Sequence, residues 1–141
     1  SGRIFFTVGN MEYLKHGGRI GKVASVAGSL LGIKPIITLK EGEIFPSGIG
    51  RSRRKTVDKT IDLLLAYLAE EKADIADYSI CIGYGYDMEE AVEFRDRLVS
   101  RLKEKGYDID TIPIFQIGAT IGVHTGPYPL GIGVVKKSIR E

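Results

Sequence analysis

Residues 34–49 read Lys34-Pro35-Ile36-Ile37-Thr38-Leu39-Lys40-Glu41-Gly42-Glu43-Ile44-Phe45-Pro46-Ser47-Gly48-Ile49. Apolar and β-branched residues crowd both halves of this stretch, and Glu41-Gly42-Glu43 between them has the composition of a tight turn. The two halves therefore pair as an antiparallel hairpin, residues 34–40 against residues 44–49. A hairpin inside the chain excludes a purely parallel, doubly wound sheet, whose strands are joined by long crossovers. Pro35 has no N–H to give to a ladder, which predicts that the first strand of the hairpin begins near a sheet edge.

Outward from the hairpin, helical and strand periods alternate. Upstream, Arg3-Ile4-Phe5-Phe6-Thr7-Val8 reads as a strand. Asn10 is placed to cap a short helix over residues 11–16, which Gly17-Gly18 ends, and a second helical segment runs over residues 22–31. Ala24, Ala27, Gly28 and Leu31 of that segment share one nearly bare face, which lets another group come close to the backbone. Downstream, Val57, Ile61, Leu64, Leu65 and Leu68 form the buried stripe of a long helix. Residues 78–83 form a buried strand. Asp87 and Glu90 resemble a capping box at the start of a helix with the stripe Met88, Ala91, Phe94, Leu98 and Leu102, which Gly106 closes. Strands over residues 109–117 and 130–135 complete the order βααββαβαββ. The expected fold class is α/β, α+β-like, with a mixed, largely antiparallel β-sheet flanked by α-helices in one domain, residues 1–141.

With 141 residues, 43% hydrophobic and 27% charged, the chain can bury one core and has the composition of a globular protein. Its net charge of +2 offers no global field to attract nucleic acid or an anionic membrane. The single cysteine, Cys81, sits in an apolar run and points to a reduced, cytoplasmic setting. No apolar stretch reaches the roughly 18 residues that span a bilayer, so no integral membrane contact is expected. The chain enters its first strand directly after Ser1-Gly2 without a methionine, so further natural sequence upstream is expected.

Catalytic motifs are missing from the sequence: it has no Cys/His metal spacing, HExxH, Walker loop or GxSxG elbow. We therefore expect no catalytic residue, no metal and no cofactor. Gly83-Tyr84-Gly85 begins like a dinucleotide fingerprint, but Met88 stands at the third glycine, and Asp87 would set a carboxylate against a pyrophosphate. A plain strand–turn–helix junction is the better reading.

Three features remain. Gly17-Gly18-Arg19-Ile20-Gly21 is either a helix C-cap followed by a solvated arginine, or a loop that brings Arg19 and helix amides onto an anion. Gly122-Val123-His124-Thr125-Gly126-Pro127 either holds a structural histidine or aims the His124 imidazole at a ligand as a donor. His16 reads as a favourable cation at a helix C-terminus. Arg51, Arg53, Arg54 and Lys55 start the long helix, where cations oppose the macrodipole. They form either a solvated face or a docking patch for an acidic partner. Nucleic acid fits poorly, because the run has no interleaved aromatics.

Several segments, in register from the first strand to the last, resemble the DegV family of bacterial fatty-acid-binding proteins, which have the EDD fold. Tyr13-Leu14-Lys15-His16-Gly17-Gly18-Arg19-Ile20 is similar to the family's YLKKGGRIS segment, and Leu30-Leu31-Gly32-Ile33-Lys34-Pro35-Ile36 to its LLNIKPIL. Glu41-Gly42-Glu43-Ile44 matches its hairpin. Gly122-Val123-His124-Thr125-Gly126-Pro127 with Leu130-Gly131-Ile132-Gly133 resembles IGTHTGPGALGLGF. The resemblance implies the C-terminal domain of a protein about twice as long, with a long-chain fatty acid held between this domain and an N-terminal domain absent here.

By position, the resemblance makes Arg19 and His124 the groups here that bind the fatty-acid carboxylate. Gly18, Ile20, Ala24, Ala27, Gly28, Leu31, Thr125 and Gly126 are the expected lining of the ligand. It also implies a separate fatty acid kinase as a partner, to which the lipid is presented, so that this chain is not itself an enzyme. Two departures from the family pattern stand out: Tyr128-Pro129 replaces Gly-Ala after HTGP, and Gly21 replaces the Ser after GGRI. The rival readings are a small α/β hydrolase or transferase using His124 as general base, and a nucleic-acid-binding module working through Arg51, Arg53, Arg54 and Lys55.

Overall fold

The computed structural model describes residues 2–8, 34–118 and 128–138. Among the described residues, six strands and two helices follow one another as β1 (Gly2–Thr7), β2 (Lys34–Lys40), β3 (Glu43–Gly50), α1 (Arg53–Glu70), β4 (Tyr78–Tyr84), α2 (Met88–Glu104), β5 (Ile114–Gln116) and β6 (Leu130–Lys136). A single 3₁₀ turn, Ile75–Asp77, leads into β4. The strands form one sheet in the order β3-β2-β1-β6-β4-β5. Among the described residues only the β4–β5 pair is parallel, so the sheet is mixed and largely antiparallel, as the hairpin predicts. The two helices expected over residues 11–16 and 22–31 lie outside the described residues.

The β2–β3 hairpin closes through Glu41 (φ 52°) and Gly42 (φ 80°). Positive φ at both central residues matches the twist of paired strands, and glycine adopts it without a Cβ clash. Pro35 does not mark an edge. Strand β2 is interior, and Pro35 lies opposite Ile49, just past the last β1 partner, Ile36. Its missing N–H is tolerated because the β1 ladder has already ended there, while its carbonyl accepts the Thr7 hydroxyl at 2.8 Å.

On α1, the stripe Val57, Ile61, Leu64, Leu65 and Leu68 is buried as expected, with Thr56 and Thr60 beside it. Their hydroxyls donate to Ser52 O and Val57 O, so neither buried oxygen lacks a partner. On α2, Ala91, Phe94, Leu98 and Leu102 are buried, but Met88 is 48% exposed, because the first residue of the helix projects past the core. Asp87 caps α2 by accepting from Glu90 N at 3.0 Å. The Glu90 carboxylate does not return to complete a capping box; it turns to Arg53 instead. At the other end Gly106 (φ 87°) and the bond from Tyr107 N to Leu102 O stop the helix.

The strand expected over residues 109–117 shrinks to Ile114–Gln116. Asp108, Asp110 and Pro113 are poor strand formers, and Pro113 contributes only its carbonyl, which accepts from Ile82 N at 2.9 Å. Ile112 is nevertheless in the core. Both helices pack on the sheet face that carries Phe5, Ile80, Ile82, Leu130, Ile132 and Val134.

Candidate functional site

Side chains alternate along a strand, so the residues between these core residues point to the opposite face of the sheet. Two rows cross that face. One runs Leu39, Ile4, Gly133, Cys81; the other runs Ile37, Phe6, Gly131, Gly83, Phe115. The centre of both rows is glycine or cysteine, flanked by large apolar residues. The sheet therefore carries a trough with a low floor along β6 and β4. Gly131 to Val135 extends it by about 13 Å at strand rise.

Two adjoining cavities occupy this trough, of about 590 and 230 Å³. They meet at Ile4, Leu39, Cys81 and Gly133, which line both. The smaller is bounded by Phe6, Gly83, Ile117, Pro129 and Gly131; Arg3, Glu41 and Ser79 bring polar atoms only to the larger. An apolar, elongated cleft suits a hydrocarbon chain.

The strand register also places the ends of the strands. Thr7 pairs with Ile36 on β2 and Leu130 on β6, while Tyr84 pairs with Leu130 and with Gln116 on β5. The strand ends that flank residues 9–33 and residues 119–127 in the chain therefore lie at one end of the sheet, the end nearer the smaller cavity. There, Gly85 N donates to Pro129 O at 3.2 Å, and Gln116 Nε2 donates to Gly85 O. Tyr128 packs edge-on to Tyr86 with ring centroids 5.9 Å apart, so the departure Tyr128-Pro129 is tied to the start of α2. The Gly83-Tyr84-Gly85 segment is the strand–turn–helix junction read from the sequence, with Asp87 as cap.

Arg19, His124, His16, Gly18, Ile20, Ala24, Ala27, Gly28, Leu31, Thr125 and Gly126 lie outside the described residues. The basic run is described. Ser52 is the N-cap and accepts from Lys55 N. Arg53 is held by Glu90, from Nε to Oε2 at 3.0 Å and from Nη2 to Oε1 at 2.8 Å. Arg51, Arg54 and Lys55 are exposed. Glu90 thus offsets one of the cations that oppose the α1 dipole. Among the described residues, no group of three or more His, Cys, Asp or Glu is placed to hold a metal, and no helix is long and apolar enough to cross a membrane.

The trough residues Ile4, Phe6, Leu39, Cys81, Gly131 and Gly133 were not among the site residues read from the sequence. Their signal is in the alternation Leu130-Gly131-Ile132-Gly133-Val134, where one face of a strand is bulky and the other bare. Without the pairing partners, that bareness reads as an ordinary glycine-rich strand.

Residues 1–137 match the family model described as "Uncharacterised protein, DegV family". The chain belongs to the DegV family. A DegV domain-containing protein of Clostridium perfringens is 36% identical over 137 residues, covering 94% of this chain and 44% of the relative. Among solved structures, a stearic-acid-binding protein from Eubacterium ventriosum superposes with a TM-score of 0.86 at 45% identity, over 97% of this chain and 45% of its own. A fatty-acid-binding DegV family protein from Thermus thermophilus gives 0.80 at 28% identity, over 97% and 46%. The chain therefore spans a little under half the length of these DegV proteins.

Proposed function

We propose that this chain is the C-terminal half of a DegV protein that binds a long-chain fatty acid, with the acyl tail in the trough on the sheet face opposite α1 and α2. The observation that carries this reading is the trough itself, an apolar cleft floored by Gly131, Gly133 and Cys81. Its smaller cavity lies at the end of the sheet whose strand ends flank the segments containing Arg19 and His124. The carboxylate belongs at that end, between the Arg19 guanidinium and the His124 imidazole, and the tail runs along β6 toward Val135. Solved DegV relatives that bind fatty acids support the ligand class.

The role is binding, not catalysis. An N-terminal domain closes the carboxylate site, and a separate kinase receives the lipid. Arg51, Arg54 and Lys55 are the cations left for such a partner. In this reading the protein works in the cytoplasm. Native mass spectrometry of the complete natural protein tests the proposal, with a co-purified long-chain fatty acid as the expected result. A protein that carries none, and takes up none when fatty acid is added, refutes it.

A further inference from the structure

Two glycines on β6 face the trough, and the fold needs only one of them. A Cβ on Gly131 would collide with the Cβ of Phe6 and lie 2.6 Å from the Phe5 carbonyl, so backbone approach alone demands glycine there. Gly133 is different. Its φ lies outside the left-handed region, and among the described residues a Cβ there would meet only the Cys81 Sγ, at 3.1 Å, with no backbone atom within 4 Å. Glycine weakens a strand through its conformational freedom, and nothing in the β-ladder requires it at this position. What a side chain at 133 would fill is the waist where the two cavities meet.

We propose that Gly133, beside Cys81 on the floor of the trough, sets how long an acyl chain the protein accepts. This rests on the reading that the trough holds the tail. The first methylenes after the carboxylate occupy the smaller cavity, beside Gly131. Longer chains pass the waist between Ile4 and Cys81 into the larger cavity. A short chain ends before the waist and does not sense it. Each buried methylene contributes roughly a fourfold gain in affinity, so keeping about three or four of the roughly eight methylenes by which stearic acid exceeds decanoic acid out of the larger cavity costs on the order of a hundredfold.

The test compares stearic acid with decanoic acid in the complete natural protein, as wild type, Gly133→Val and Cys81→Leu. Cys81→Leu narrows the same waist from β4 and stands in if Gly133→Val does not fold; circular dichroism and thermal unfolding establish which variants are folded. The expected result is a loss of stearic-acid affinity of about a hundredfold in either folded variant, with decanoic acid changed by no more than about threefold. Stearic-acid binding that is unchanged in a folded variant overturns the waist while leaving fatty-acid binding intact. Equal losses for both acids also overturn it, because the substitution then acts on the whole site. A wild type that binds neither acid overturns the proposed function itself, and the waist with it.

Discussion

The Arg53 guanidinium grips the Glu90 carboxylate through two hydrogen bonds, at 3.0 and 2.8 Å, across the junction of α1 and α2. The pair is partly sheltered, with side-chain exposures of 25% and 28%, and Arg53 Nη1 is buried with no hydrogen-bond partner among the described residues. Asp58–Arg97 and Asp62–Arg101 continue the same contact along the two helices, at 2.9 and 2.7 Å.

Glu90→Leu should destabilise the protein by about 1–2 kcal/mol, since it leaves a half-buried guanidinium with no carboxylate, and Arg53→Met is the other single change. The double change to Arg53→Met and Glu90→Leu should recover most of that loss. Urea unfolding of both single variants and the double variant measures the coupling. A coupling near zero would mean that solvent screens this pair as it does ordinary surface pairs.

Gly131 and Gly133 should differ in stability as sharply as in geometry. Gly131→Ala forces β6 away from β1 at Phe5 and Phe6 and should cost about 2 kcal/mol or more. Gly133→Ala need only displace the Cys81 thiol, a single flexible atom, and should change stability by less than about 1 kcal/mol. Thermal unfolding of the two variants side by side decides this. Equal costs would show that both glycines serve the ladder.

For the carboxylate end, the reading of Arg19 as a permanent cation gives a sharp expectation. Arg19→Ala should weaken fatty-acid binding roughly ten- to a hundredfold, because a charge-assisted hydrogen bond contributes about 1.5–3 kcal/mol. Arg19→Lys should restore only part, since an ammonium lacks the planar fork. His124→Ala should cost less, as an imidazole donates one hydrogen bond where the guanidinium brings a fork of donors and a permanent charge. A fatty alcohol of equal length is the control. If it loses affinity as much as the acid does in Arg19→Ala, the arginine supports its loop and does not meet the anion.

Tyr67 carries the pH dependence that the structure resolves. Burial pushes its phenol above the ordinary value, Glu71 and Tyr78 push the same way, and Arg3 and Lys136 oppose them. The Arg3 guanidinium lies 5.3 Å from the centre of its ring. A raised folded pKa means that the folded state holds the proton more tightly than the unfolded chain. The stabilisation is therefore complete below the unfolded value, about pH 10, and is lost as pH rises through the folded one. Tyr67→Phe should flatten the fall in stability above pH 10, as followed by unfolding midpoints across the alkaline range. An unchanged alkaline profile would remove Tyr67 as its source.

The local elements were legible in the sequence because their signals are local. The stripe from Val57 to Leu68 has the helical period, Asp87 and Gly106 punctuate α2, and Glu41-Gly42 has the turn chemistry that a two-residue hairpin needs. The family resemblance rests on runs of adjacent residues, and its anion-binding positions coincide with Arg19 and His124, which the glycine-rich loops already offer. Tertiary structure alone decided that Pro35 sits in an interior strand, that Glu90 answers Arg53 instead of closing a capping box, and that residues 109–113 do not extend β5. It alone assembled the trough, where Ile4, Leu39, Cys81 and Gly133 come from four different strands. Strand pairing joins residues far apart in the chain, and which glycine is demanded by a neighbouring backbone and which merely leaves space depends on atoms that sequence spacing does not bring together.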